Sequence, residues 1–281
     1  MKRWIHTIFV ILSSFVAAST ASLATLCPSC TSGSSGSPSD VFYEDWNGSN
    51  SCGNTISNSG TAPTSNCDCT WTFFIENTGN TINPMSTRNL SSLSCVNKGT
   101  YDIDFYQNTG TVSGTIGIVS ALRTFSAATT MYAQAYICVE SISIPGGGAA
   151  YVMDMGNVSS PNPLQTIAAC VYWNGINFVW DLEDQAYANY ISSVVVVPGT
   201  WYRIGLEWHQ NTINGAKLWV NGVNVASCNA ENQSVVYLEL GDDSGQGSNT
   251  ERFQVANVQV DDTAMPGACS TTPASNSSSI N

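Results

Sequence analysis

Positive charge is scarce in this sequence. Its 281 residues hold eight Lys and Arg and two His against twenty Asp and Glu, a formal net charge of −12. A chain this acidic repels phosphate backbones and anionic lipid, so no nucleic-acid partner and no membrane-surface role is expected. Long apolar runs are lacking too: no stretch approaches the ~20 apolar residues of a membrane span, which excludes membrane insertion. No helical period persists for three turns, and no repeat of solenoid or propeller length recurs. Catalytic signatures are equally thin. There is no Gly-x-Ser-x-Gly elbow and no E-x-D-x-x-E run, and His209 is the only histidine after residue 24. A hydrolase triad needs a histidine base in company.

What is present points outward from the cell. Lys2 and Arg3, an apolar stretch from Ile8 to Ala18, and small residues up to Ala24 read as a cleavable signal peptide over 1–24, hence a secreted, extracellular protein. Once that segment is removed, six basic residues face twenty acidic ones, a net charge of −14. All ten cysteines lie beyond it. An even number in an exported chain reads as a disulfide framework. Cys27 with Cys30 and Cys67 with Cys69 are close pairs, but a zinc site wants a second such pair or histidines beside it. The expected bridges are Cys138–Cys170, joining neighbouring core strands, and Cys228–Cys269, pinning the C-terminal segment. Residues 25–40 read as a Ser/Gly-rich linker with a Cys-Pro-Ser-Cys motif, 41–265 as one folded domain, and 266–281 as a Ser/Thr/Asn-rich tail.

Within the domain, alternation of period two dominates. Met131, Ala133, Ala135, Ile137 and Val139 fall on one face of a strand, with Tyr132, Gln134, Tyr136, Cys138 and Glu140 on the other. Tyr202, Ile204, Leu206 and Trp208 oppose Arg203, Gly205, Glu207 and His209 in the same way. This is the pattern of antiparallel strands with one face packed and one wet. Asn221-Gly222 between two β-rich runs predicts a type I′ hairpin, and Asn214-Gly215 a second turn. Further strands are expected at 151–155, 167–173, 177–182, 191–197, 235–240 and 252–260. The fold class is therefore all-β: a two-sheet antiparallel jelly-roll sandwich, disulfide-bonded.

Trp201 to Trp208 (WYRIGLEW), then Lys217 to Val223 (KLWVNGV), Leu240-Gly241-Asp242 and a closing strand from Phe253 to Asp261 resemble the laminin-G-like, concanavalin A-like lectin/glucanase jelly rolls. Phe42 to Trp46 matches the opening edge strand of such domains. The resemblance is clear from Trp201 onward, and its motifs specify scaffold rather than chemistry. It implies a choice. Many members are carbohydrate-binding or adhesion modules, some are glycoside hydrolases or polysaccharide lyases, and several bind calcium at the rim of the sandwich.

The residues lean toward binding. Trp173 and Trp180 flank Asn174, Gly175 and Asn177, and Tyr187 and Tyr190 follow, a set suited to stacking on sugar rings and bonding their hydroxyls. Asp154, Asp242 and Asp243 are the candidate calcium ligands, expected at strand ends; calcium is the one cofactor they suggest. No catalytic residues are assigned. The first reading is a secreted, non-catalytic module whose partner is a glycan or a cell surface. One alternative is an extracellular structural subunit of a surface layer or filament, which would self-associate. The other is a glycoside hydrolase or polysaccharide lyase of the same superfamily, whose activity would depend on Glu207, Asp181 or Glu183, or on His209 with a tyrosine. Asp102 and Asp104 are expected as solvated residues on a strand's polar face, and Asp181 to Asp184 as a strand end running into a loop.

Overall fold

The computed structural model describes residues 42–44, 46, 55–57, 71–76, 85–88, 102–108, 116–144, 148–157, 165–246 and 250–267. The expected signal peptide, linker and most of the tail lie outside them. Among the described residues no helix is long and apolar enough to cross a membrane.

Sixteen strands make up these residues: β1 (Phe42–Glu44), β2 (Thr55–Ser57), β3 (Thr72–Glu76), β4 (Met85–Arg88), β5 (Asp102–Asn108), β6 (Ile116–Ala128), β7 (Thr130–Ser143), β8 (Ala149–Gly156), β9 (Gln165–Trp173), β10 (Phe178–Asp184), β11 (Asn189–Val195), β12 (Trp201–His209), β13 (Ala216–Val220), β14 (Val223–Cys228), β15 (Val235–Gln246) and β16 (Thr250–Asp261). They form two sheets. The first runs β14-β13-β12-β7-β16-β5-β4, with β1 also on β16; the second runs β11-β10-β9-β8-β15-β6-β3-β2. Every pairing is antiparallel except β2 with β3. The expected two-sheet sandwich is what the chain forms.

The inner faces make the core. Met131, Ala133, Ala135, Ile137 and Val139 of β7 and Ile204, Leu206 and Trp208 of β12 come from one side. Met153, Met155, Ile167, Ala169, Val171, Trp180 and Leu182 meet them from the other. Tyr202 ties the sheets together: its ring lies 5.4 Å from that of Trp180, and its hydroxyl bonds the backbone of Val195 and Val197. The predicted hairpin forms at β13–β14, with φ of 53° at Asn221 and 83° at Gly222, the positive pair a type I′ turn demands.

The wet face of β7 is drier than alternation implies, because Gln134, Tyr136 and Cys138 are buried. Part of the cover is the chain's own C-terminal segment. The Gln134 amide donates to the Gly267 carbonyl at 3.0 Å, and Met265 lies against Gly205, where an added Cβ would meet its sulfur at 2.9 Å.

The disulfide expectations need correction. Cys170 and Cys228 are buried and in no disulfide, so neither Cys138–Cys170 nor Cys228–Cys269 forms. Cys138 is disulfide-bonded to a partner outside the described residues. The reason for the first miss is which way the side chains face. Cys138 pairs with Trp201 and Gln254 on the outward face of the first sheet. Cys170 packs with Tyr151 and Ala168 on the outward face of the second. Stacked sheets lie ~10 Å apart, beyond the ~7 Å Cα reach of a bridge even before the opposite directions are counted. Burial, then the charges of Asp184 and Glu231, pushes the Cys228 thiol up to about 12.

Candidate carboxylate-lined site

Strand register on the outward face of the second sheet collects acidic side chains. Asp181 of β10 pairs with Cys170 of β9, and Cys170 with Tyr151 of β8. One step along, Glu183 pairs with Ala168, Ala168 with Asp154, and Asp154 with Glu239 of β15. Asp181 and Glu183 are two residues apart and so share a face at ~6.8 Å along the strand. Across the small side chain of Ala168, the Glu183 and Asp154 backbones are two strand spacings apart, ~10 Å. Tyr151 and Asp154 are three residues apart and should face opposite ways. The register shift between Tyr151 and Met153 is a bulge, whose extra residue turns both to the same side.

This face is closed to solvent: Asp181 is 0%, Glu239 1%, Asp154 3% and Glu183 4% exposed. The Tyr151 hydroxyl donates to Glu183. Asp181 is different, since neither of its oxygens accepts a well-formed hydrogen bond from a described side chain, and the Leu182 amide is too poorly placed to supply one. Burial, and then the charge of Glu183, raises its carboxyl to about 7 against a weaker pull from the Leu182 amide. The hydroxyls of Thr166 and Ser120 are also buried without a partner among the described residues. Thr166 follows the same alternation as Ala168 and Cys170 onto this face, and Ser120 joins it opposite Gly241. Asp184, the last residue of β10, is where the strand runs into the loop, as expected, and it closes the β10–β11 turn. It accepts from the amides of Ala186 and Ala188 and from the Tyr190 hydroxyl.

The outward face of the first sheet is built differently. Glu207 accepts from the Lys217 ammonium at 2.5 Å and the Trp219 indole at 2.9 Å, and its Oε1 lies 2.9 Å from His209 Nε2. The Tyr132 hydroxyl lies 3.3 Å from the same histidine nitrogen. Burial first, then the Glu207 charge, raises the Tyr132 phenol. Farther along, Arg252 donates twice to Asp104, at 3.0 and 2.9 Å. Asp104 is therefore buried and paired, not solvated as expected.

The expected glycan platform comes apart. Trp180 is wholly buried in the core and cannot stack on a ligand. Trp173 packs on Phe178 at 5.0 Å, beside a β9–β10 turn in which Asn174 accepts from the amides of Ile176 and Asn177. Tyr187, 69% exposed, and Tyr190 lie at the other end of β10, ~20 Å away for a strand of this length. No single surface joins the six. The candidate calcium ligands also separate: Asp154 sits within β8 facing Glu239, whereas Asp242 pairs with Val119 on β6. The side chains of Asp242 and Asp243 lie outside the described residues. Among those described, no three His, Cys, Asp or Glu are placed to hold a metal ion.

No family model and no curated protein matches the sequence. Solved structures do match in shape. An endo-β-1,4-glucuronan lyase from the fungus Trichoderma reesei aligns at 15% identity and TM-score 0.45, covering 66% of this chain and 89% of its own. The cellulose-induced protein Cip1 aligns at 10% and 0.47, covering 68% and 92%. A marine PL7 alginate lyase from Zobellia galactanivorans aligns at 12% and 0.43, covering 57% and 79%. At such identities no residue role carries over to this chain.

Proposed function

We propose that the chain is a carbohydrate-active protein that cleaves a glycan at the outward face of the second sheet, with Asp181 and Glu183 handling the protons. The observation that carries this is Asp181: fully buried, with both oxygens unpartnered among the described residues, and titrating near 7 beside a second carboxylate. A general acid works best with a pKa close to the working pH. Two carboxyls in unlike surroundings can divide the roles, one holding a proton while the other takes one. Here Glu183 has the Tyr151 hydroxyl as donor, whereas no described side chain donates to Asp181 and only the Leu182 amide pulls weakly on it. Protonating a glycosidic oxygen from Asp181 while Glu183 acts as base or nucleophile is the hydrolytic scheme. Because the face is closed, a glycan reaches it only when the face opens.

A second reading rests on Tyr132 and His209. A phenol and an imidazole 3.3 Å apart, partly exposed on the first sheet, could serve as acid and base for β-elimination from a uronate.

Purified protein incubated with neutral and uronate polysaccharides separates these readings. New reducing ends without the ultraviolet absorbance of an unsaturated sugar, lost in Asp181→Asn, would support hydrolysis at the second sheet. The absorbance appearing with the reducing ends, and lost on changing Tyr132 or His209, would move the site to the first sheet. Binding without cleavage would restore the non-catalytic module.

A further inference from the structure

We infer that the C-terminal segment, residues 262–267, is a displaceable plug in a binding hollow on the first sheet's outward face, and that the ligand it keeps out is a neutral glycan. The inference stands whichever face does the cleaving. Strand register sets Trp219 of β13 beside Gly205 of β12, Gly205 beside Gln134 of β7, and Gln134 beside Gln259 of β16. The row spans four strands, ~14 Å, and alternation turns it away from the core, into which Ile204 and Leu206 point. Gly205 adds no side chain, so the row is low at its middle, with an indole on one side and two amides on the other. The half-buried Trp219 ring is held by its 2.9 Å bond to Glu207. Met265 fills the low point: its sulfur and methyl lie 2.9 and 3.1 Å from where a Cβ on Gly205 would stand.

The segment's hold on this row is thin. Asp261 accepts from the amides of Thr263 and Ala264 and from the Thr263 hydroxyl, bonds that shape the turn out of β16 without tying it down. Beyond the turn, the bond from Gln134 to the Gly267 carbonyl is the one hydrogen bond between sheet and segment among the described residues. Pro266 has no N–H to add, and residues 262–264 and 267 are exposed. A segment with so few buried contacts opens at little cost, and a thioether is a soft plug. What it leaves behind has the chemistry of a sugar site. The buried Gln134 amide divides its donation between Gln259 at 3.1 Å and Gly267 at 3.0 Å. Losing the second leaves a donor that is costly to strand and that a sugar hydroxyl can satisfy. The indole offers its apolar face to the C–H side of the ring. No charged side chain stands in the row, so it selects hydroxyls over carboxylates and ammonium groups. The charges beside it are engaged or turned elsewhere: Glu207 binds Lys217 and His209, Asp261 holds its turn, and the Arg203 guanidinium lies against Gly222.

The test uses the full chain with isotope-labelled methionine methyls and a neutral linear probe, a β-linked glucose hexamer, with a uronate hexamer as its charged counterpart. The Met265 methyl resonance, identified by its absence in Met265→Ala, should move to the position of a solvent-exposed methyl as the glucose hexamer is added. Its titration should give the same Kd as calorimetry. A site open in about a tenth of molecules binds about tenfold more weakly than a bare one, so Met265→Ala should tighten binding by up to about tenfold. Trp219→Ala, with folding checked by circular dichroism, should lose it. Binding that leaves the Met265 methyl in place, or that Met265→Ala does not tighten, overturns the plug. Binding that survives Trp219→Ala puts the sugar elsewhere and overturns the hollow. Preference for the uronate overturns the neutral class. If Met265→Ala, with its hollow bare, binds neither hexamer, the whole inference falls.

Discussion

On the outward face of the first sheet, every described carboxylate that matters has its donors. Glu207 is held by Lys217, Trp219 and His209, and Asp104 by both arms of Arg252. On the outward face of the second, Asp181 is as deeply buried and has no such donor, with Glu183 two residues away. The first arrangement stabilises a fold: charges that leave water are matched, and removing one member strands the others. The second costs stability, since a lone buried carboxyl must be kept protonated or suffer desolvation. Proteins retain such costs where chemistry or binding needs them. The same residue type, on two faces of one sandwich, therefore supports opposite expectations under mutation.

The largest expected effect is at Asp181. Asp181→Asn should lower glycan cleavage by about 10²–10⁴, the usual worth of a general acid, and raise stability at the same time. In the fold the carboxyl keeps its proton up to about 7; unfolded, it releases it near the ordinary value of about 4. Between those values the folded protein holds the extra proton, so stability falls as pH rises through the window. Asn escapes that cost. The variant should gain roughly 2–4 kcal/mol at about pH 8 and little at about pH 4, read from urea unfolding at both. By the same titration, wild-type turnover should fall as pH climbs past about 7. A variant that loses activity and also loses stability at high pH would refute the lone-acid account.

Next in size is Asp104→Ala on the first sheet. Leaving the Arg252 guanidinium without its two-bond partner should cost about 3–5 kcal/mol, with cleavage unchanged per folded molecule. Glu207→Gln follows at about 1–3 kcal/mol, less because Lys217 and His209 are each more than a quarter exposed and can turn to water. It also arbitrates between the faces. If cleavage collapses in Glu207→Gln while Asp181→Asn is active, Tyr132 and His209 are the working pair and the second sheet is scaffold.

How much of this could be read from the chain follows from what each feature depends on. The alternation from Trp201 to His209 and the Asn221-Gly222 turn depend on local backbone preference alone, and both are legible. Trp180 and Trp173 are not. Alternation buries one face of a strand, but only the sheet order says that Trp180 points between the layers. Asp181, Glu183 and Asp184 read as the end of a strand running into a loop, and Asp184 does end β10; what alternation does not show is that Asp181 and Glu183 are buried. Tyr151 and Asp154 meet through a bulge, which no alternation pattern encodes. The cysteines fail for a related reason: Cys138 and Cys170 are both strand cysteines, yet the two sheets turn them away from each other. These misses concern which way a side chain faces; Asp242 and Asp243 differ, expected at strand ends and found within β15.

The smallest effect tests how the first sheet's face is closed. Gly205 lies beneath Met265, with an ideal Cβ only 2.9 Å from the sulfur and 3.3 Å from the Trp219 Cβ. Gly205→Ala should thus cost about 1 kcal/mol, and not more, because the near contact is the tip of a flexible thioether that can swing aside. Were the obstacle backbone, the cost would be larger and fixed. Met265→Ala should cost about as much by uncovering the glycine. In the double variant the new methyl has room, so the two costs should not add; the shortfall is the coupling between strand and C-terminal segment. Additive costs in thermal unfolding would mean that Met265 does not rest on Gly205 in solution. The outward face of the first sheet would then be as open to ligands as the second must become, and its Tyr132–His209 pair would regain its claim as a site.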